Sequence, residues 1–261
     1  MITSNENIKN SKSRTLRISS EDKVIGSNSQ FTIDLLSNGG AIDNIKGYII
    51  HSLECPNVFD NVPTYANVLQ LIKATGAVVY NITIPNSYYF IDDLVTQLQT
   101  SINAVIADTV AVSKTGTFPN DKLNFIFTGD SYTFNFLNST IAYRIGLVAD
   151  QGPATNITMS GIPNLIGETA VYVHSREMAP NNLIEGTGSF SVVDKLNLDQ
   201  PFGATCYSNF NNDTTHFKKY FPYESLKTLR TIKITLRNRI GEILTLPANF
   251  DFTMMVTIFH N

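Results

Sequence analysis

The chain has 261 residues, 28.9 kDa, 43% hydrophobic and 16% charged residues, so it can bury a large core and is too apolar for a disordered segment. No apolar run reaches the ~18 residues of a membrane-spanning helix, and residues 1–13 are polar without a signal-peptide core, which reads as a soluble chain that is not secreted. The net charge of −3 is unevenly spread: residues 24–213 carry 7 Lys/Arg against 16 Asp/Glu, whereas 214–239 carry 7 against 1.

In chain order, Lys9, Lys12, Arg14 and Arg17 come first, four cations with no acid between them, and 1–13 reads as a short basic arm. Strands are expected near 16–18, at Phe31, Ile33 and Leu35, which alternate with Thr32 and Asp34, and near 45–53, 68–73 and 77–84. A helix near 91–107 follows from Leu94, Leu98, Ile102 and Val105 at spacings of four, four and three, with Asp92 and Asp93 at the positive end of its dipole. Residues 123–127 (LNFIF) and 132–136 (YTFNF) flank Thr128-Gly-Asp-Ser131, the pattern of a β-hairpin. A short helix is expected over 139–145 and a strand over 170–174. Long loops are expected between 149 and 223, where 199–223 holds Phe202, Tyr207, Phe210, Phe217, Tyr220, Phe221 and Tyr223.

Near the C-terminus, Ile232, Ile234 and Leu236 alternate with Thr231, Lys233, Thr235 and Arg237, which puts the two cations on an outer strand face. The bland reading of that face is a solvated surface; contact with an acidic subunit surface or nucleic acid is the functional one. Residues 238–241 (NRIG) form a connection. A final strand places Phe250, Phe252, Met254, Val256 and Ile258 on one side. About ten short strands, one helix and long connections exclude an alternating α/β fold and point to an all-β, two-sheet jelly-roll sandwich.

Catalytic signatures are missing: no nucleophile elbow, no His-Glu-x-x-His, no phosphate loop and no dinucleotide fingerprint. His51, His174, His216 and His260 lie far apart without metal-ligand spacing. Cys55 and Cys206 are too few for a disulfide framework and read as reduced structural thiols. Asn81, Asn138, Asn156 and Asn212 open glycosylation-type triplets that an Asn- and Thr-rich composition produces by coincidence. The expectation is a protein that is not an enzyme and holds no cofactor or metal.

Several segments occur together in one family. Residues 14–22 (RTLRISSED) with 29–35 (SQFTIDL), then 52–59 (SLECPNVF), 81–86 (NITIPN) leading through Tyr89 into the helix, 229–241 and the last strand resemble penton proteins. These are the single jelly-roll minor capsid proteins of virophages, polinton-like viruses and related large DNA viruses. The resemblance implies a single jelly-roll β-sandwich of two antiparallel sheets over 14–261, with one inserted α-helix near 91–107 and long loops at 149–223. It also implies a structural virion protein whose homopentamers close the fivefold vertices of an icosahedral capsid assembled in the host cell. Its partners would be copies of itself, a double jelly-roll major capsid protein and other minor capsid or internal virion components, with no small-molecule substrate and no membrane span. A fivefold ring needs one flank of each subunit to fit a different flank of its neighbour. Lys9, Lys12, Arg14, Arg17, Arg237 and Arg239 are assigned to subunit or inward-facing contacts. Two other classes compete: a carbohydrate- or receptor-binding β-sandwich, of the fibre-head or lectin-like kind, using the aromatic stretch 199–223, and, last, a hydrolase on a sandwich scaffold.

Overall fold

The computed structural model describes residues 11–37, 39–116, 120–178, 184–185, 188–189, 192–209 and 220–261, with the backbone alone at 184–185, 188–189 and 220–227. Four strands come first: β1 (Lys12–Ser19), β2 (Ile25–Gly26), β3 (Gln30–Asp34) and β4 (Ile42–Pro56). The middle stretch holds β5 (Val68–Lys73), β6 (Val79–Thr83), helix α1 (Ile91–Asn103), β7 (Thr109–Thr115), β8 (Lys122–Thr128), β9 (Tyr132–Phe134), β10 (Gln151–Ala154) and β11 (Asn156–Thr158). The last stretch holds β12 (Ala170–His174), β13 (Ile184–Glu185), β14 (Gly188–Ser189), β15 (Val192–Asn197), β16 (Thr205–Asn209), β17 (Tyr220–Leu229), β18 (Thr231–Arg237) and β19 (Thr253–His260). The chain divides into two compact units, one of residues 1–58 with 168–261, the other of 59–167.

The first unit is an antiparallel jelly roll. One sheet has the order β1-β19-β4-β16, with β17 also on β4; the other runs β15-β12-β18-β3-β2. The chain therefore crosses repeatedly between the two sheets, and the last strand lies between the first and the fourth, as two Greek keys require. The alternation seen in the sequence explains the core. Ile18, Ile50, Leu53, Met254, Val256 and Ile258 bury the inner face of the first sheet. Phe31, Ile33, Val171, Val173, Leu196, Ile232, Ile234 and Leu236 bury that of the second, each contributing about 1.5–3 kcal/mol. Pairing of β19 with β4 slips by one residue at His51, a β-bulge that leaves both Ser52 and Leu53 buried. The place beside β4 is shared by β16 and β17, which pair with successive halves of the 15-residue β4.

The second unit is inserted between β4 and β12, so the helix expected near 91–107 belongs to a larger body with its own core. That body has a four-stranded sheet, β10-β9-β5-β6, and a three-stranded sheet, β11-β8-β7. α1 buries Leu94, Leu98 and Ile102, while Val105 lies beyond its end and is 46% exposed. Asp92 and Asp93 stand in its first turn, as read from the sequence, and Asp92 also meets Lys114 at 2.5 Å. Asn61, fully buried, gives its amide to the carbonyls of Tyr89 (2.9 Å) and Leu165 (3.1 Å) and accepts from the Tyr89 amide (2.9 Å), closing the two ends of this unit on itself.

The expected hairpin around 128–131 is corrected. β8 pairs with β7 and β11, whereas β9 pairs with β5 and β10, so the turn arches from one sheet to the other. Both flanking segments are aromatic at every second position, and their rings meet across the core: Phe127 stacks on Tyr132 at 4.5 Å, and Phe125 lies 4.8 Å from Phe134 with its ring tilted by 58°. Burial of four rings from two sheets outweighs the backbone ladder that a hairpin would form. The short helix expected over 139–145 is a 3-10 turn at Ala142–Ile145.

Candidate assembly surfaces

The N-terminal cations are built into the jelly roll from residue 12 on. β1 starts at Lys12, so Lys12 and Ser13 belong to an edge strand, while Lys9 lies outside the described residues. Strand alternation gives the cations different tasks. Arg14 faces Ile258 across the ladder and is half-buried, and its Nη1 donates to the carbonyls of Gly39 (3.2 Å) and Gly40 (3.0 Å), bolting down the turn after β3. Arg17 points to the opposite side and lies 3.6 Å from both Glu21 and Asp22. These pairs are half exposed and contribute little to stability, so Arg17 is held in place yet available to a neighbour.

Arg237 and Arg239 sit elsewhere, at the end of β18 in the second sheet. Lys233, Thr235 and Arg237 do share the outer face of β18. Arg237 pairs across the ladder with Tyr172, which faces Lys195 on β15, and the Lys195 ammonium lies 5.8 Å from the Tyr172 ring centre. Lys195, Tyr172 and Arg237 thus form one row across three strands. Arg237 also donates to the Gly241 carbonyl, where Asn238 Oδ1 accepts from the amides of Ile240 and Glu242 and Gly241 supplies a φ of 89°. Arg239 is exposed on this turn. The two groups of cations therefore occupy an edge of one sheet and the centre of the other.

Sequence reasoning missed a polar clasp built from the serines and asparagine of the N-terminal segment. Ser20 Oγ accepts from the Phe252 amide (3.0 Å) and donates to Asp251 (2.9 Å). Asn28 directs its amide at the carbonyls of Pro247 (3.3 Å), Ala248 (3.1 Å) and Phe250 (2.7 Å), and its Oδ1 accepts from Lys23 (2.6 Å). Ser29 Oγ accepts from the Leu246 amide (2.5 Å). Ser20, Asn28 and Ser29 are all buried. The only sequence signal was small polar residues between apolar strands, which cannot say which distant loop they hold.

Titratable groups are tuned by the same architecture. Burial, and then the Arg237 charge, lower His174 from 6.5 to about 4. Above pH 6.5 the imidazole is neutral in both folded and unfolded chains; as pH falls from 6.5 to about 4 the unfolded chain binds a proton that the fold refuses. Stability should therefore drop across that window, by on the order of 2 kcal/mol for this partly exposed ring. Denaturant midpoints measured at neutral pH and near pH 4.5 should differ less in His174→Gln than in the native chain; an equal drop in both would refute the assignment. In the second unit, Asp108 accepts from Tyr132 (2.5 Å) and Lys73 (3.1 Å), which hold its carboxylate below the usual range, while burial and Asp108 push Tyr132 up. Asp130 lies 3.7 Å from the same ammonium. The group ties the arch to the end of β5.

His51 Nε2 meets Thr257 Oγ1 at 2.7 Å, which in turn meets Thr15 Oγ1 at 2.8 Å. His216 lies outside the described residues, and among those described no three His, Cys, Asp or Glu side chains gather as a metal site. The aromatic stretch 199–223 is not one loop. Phe202 and Tyr207 are exposed, Tyr207 on β16; Tyr220, Phe221 and Tyr223 lie in β17; Phe210 and Phe217 are outside the described residues.

No family profile matches the chain, and no curated protein matches it in sequence. Among solved structures, the crystal structure of the mavirus penton protein superposes with a TM-score of 0.50 at 11% identity, over 95% of this chain and 99% of that one. The resemblance read from short segments is thus matched at the level of the fold, and over almost the full length of both chains.

Proposed function

We propose that this chain is a penton protein, a minor capsid component of a virion, in which five copies form a ring that closes each fivefold vertex of an icosahedral shell. One observation carries the reading: a jelly roll interrupted between β4 and β12 by an inserted β unit, alignable almost end to end with a penton protein. Jelly rolls serve many functions, so full-length correspondence weighs more than the sandwich alone. The shell neighbours are a double jelly-roll major capsid protein and other minor or internal virion components. The low charge content suits a subunit with extensive flanks to cover, because burying unpaired charge is costly.

Arg17 and Arg239 are the cations best suited to test contact, since Arg14 is occupied in holding its own turn. In particles assembled with the shell proteins, Arg17→Glu with Arg239→Glu should lower the copies incorporated several-fold while the isolated protein keeps its melting temperature. Unchanged incorporation would remove these residues from the interface. The exposed Phe202 and Tyr207 favour the rival reading of a glycan- or receptor-binding sandwich; saturable binding on a glycan array, lost in Tyr207→Ala, would support it against ours.

A further inference from the structure

Cys55 near the end of β4 and Cys206 in β16 are direct cross-strand partners. Residues opposite one another on antiparallel strands project to the same face, with Cα atoms about 4.5–5.5 Å apart. That separation lies inside the 4.4–6.8 Å range that a disulfide spans. Both thiols are free and completely buried, so they face each other within the sandwich. β4 leads into the inserted unit, and β16 is the end strand of its sheet path, five residues long.

We propose that Cys55 and Cys206 form a modification site, a latent intramolecular disulfide closed by small disulfide oxidants of the glutathione class. The step is thiol–disulfide exchange: one protein thiolate attacks the oxidant's S–S bond and releases one small thiol, then the second protein thiolate displaces the other. The protein loses two hydrogens and the oxidant is reduced to two thiols. The closed loop would enclose all of residues 59–167, the whole inserted unit. A loop that long restricts the unfolded chain strongly and so stabilises the folded one.

The same environment makes the reaction slow. Burial, with Cys206 alongside, pushes the Cys55 thiol up to about 12, so little of the nucleophilic thiolate exists at neutral pH. Local opening of the short end strand β16 is the route by which an oxidant enters. The pair stays reduced in a thiol-rich compartment and closes on prolonged exposure to an oxidising one, faster as pH rises.

The experiment uses the purified full-length chain, reduced and then incubated natively with oxidised glutathione at neutral and at mildly alkaline pH. Intact mass should fall by two hydrogens in a monomer, and peptide mapping should recover Cys55 joined to Cys206. Closure should be faster at the higher pH, with the thermal midpoint raised by roughly 5–15 °C and restored by reductant. Cys206→Ser, compared under reducing and oxidising conditions, should show no such rise. Two thiols still open to alkylation after denaturation, a persistent glutathione adduct, or cross-links only between chains would each overturn the proposal. Because the readout is chemical and made on the isolated chain, it is independent of any role at a capsid vertex.

Discussion

Phe125→Ala should destabilise the inserted unit by about 3–5 kcal/mol, the usual cost of emptying a large aromatic site in a well-packed core. Phe125 is fully buried on β8 and meets Phe134 from the opposite sheet, and Leu94, Leu98 and Ile102 of α1 belong to the same core. A small domain has a total stability of only 5–15 kcal/mol, so the loss approaches the stability of the unit. Its neighbour Ile126 points to the other side of the strand and is 43% exposed; Ile126→Ala should cost less than about 1 kcal/mol. Denaturant unfolding combined with limited proteolysis reads both: Phe125→Ala should lower the midpoint and open cleavage sites within 59–167. Equal, small effects from the two variants would contradict the arch packing.

Asn28→Ala should remove about 2–3 kcal/mol from the jelly roll, a loss of several degrees in thermal midpoint. The cost comes less from the bonds themselves than from what is left behind, since the Asn28 amide serves three backbone carbonyls and its oxygen serves the Lys23 ammonium. Hydrogen exchange localises the effect, with faster exchange expected for the amides of Leu246 and Phe252, which Ser29 and Ser20 hold beside the same loop. Unaltered exchange there, with unaltered stability, would show that the clasp is dispensable.

The parts of this fold that were legible in the sequence are those fixed by local periodicity. Ile232, Ile234 and Leu236 announced an inward strand face with Lys233 and Arg237 outside it, and Leu94, Leu98 and Ile102 announced the buried stripe of α1. The parts that were not legible depend on partners far along the chain. Nothing local distinguishes a hairpin at 128–131 from an arch, because both need a tight turn between alternating segments; the choice is made by β5, β7, β10 and β11. Two cysteines 151 positions apart gave no sign that they would be opposite one another. Residues 1–13 read as a short basic arm, yet Lys12 already opens β1; Arg14 and Arg17 follow in the same strand, where alternation with Ile18 in the core makes Arg14 a bolt and Arg17 an outward charge.

The inserted unit is the other feature hidden by the sequence. A chain that leaves the sandwich after β4 and returns at β12 has no composition break at either point, and its strands look like those of the jelly roll. Only the pairing pattern, in which β5 to β11 bond among themselves, reveals a second core. Each of the two units has its own hydrophobic interior, on which surface changes can be made without loss of fold.

A cryo-electron microscopy reconstruction of intact particles carrying the chain decides whether it closes the vertices. Five copies of the jelly roll, each with its inserted unit, are expected in a ring on every fivefold axis. Vertices closed by another protein, or this chain found only as trimers or as a peripheral fibre head, would contradict it.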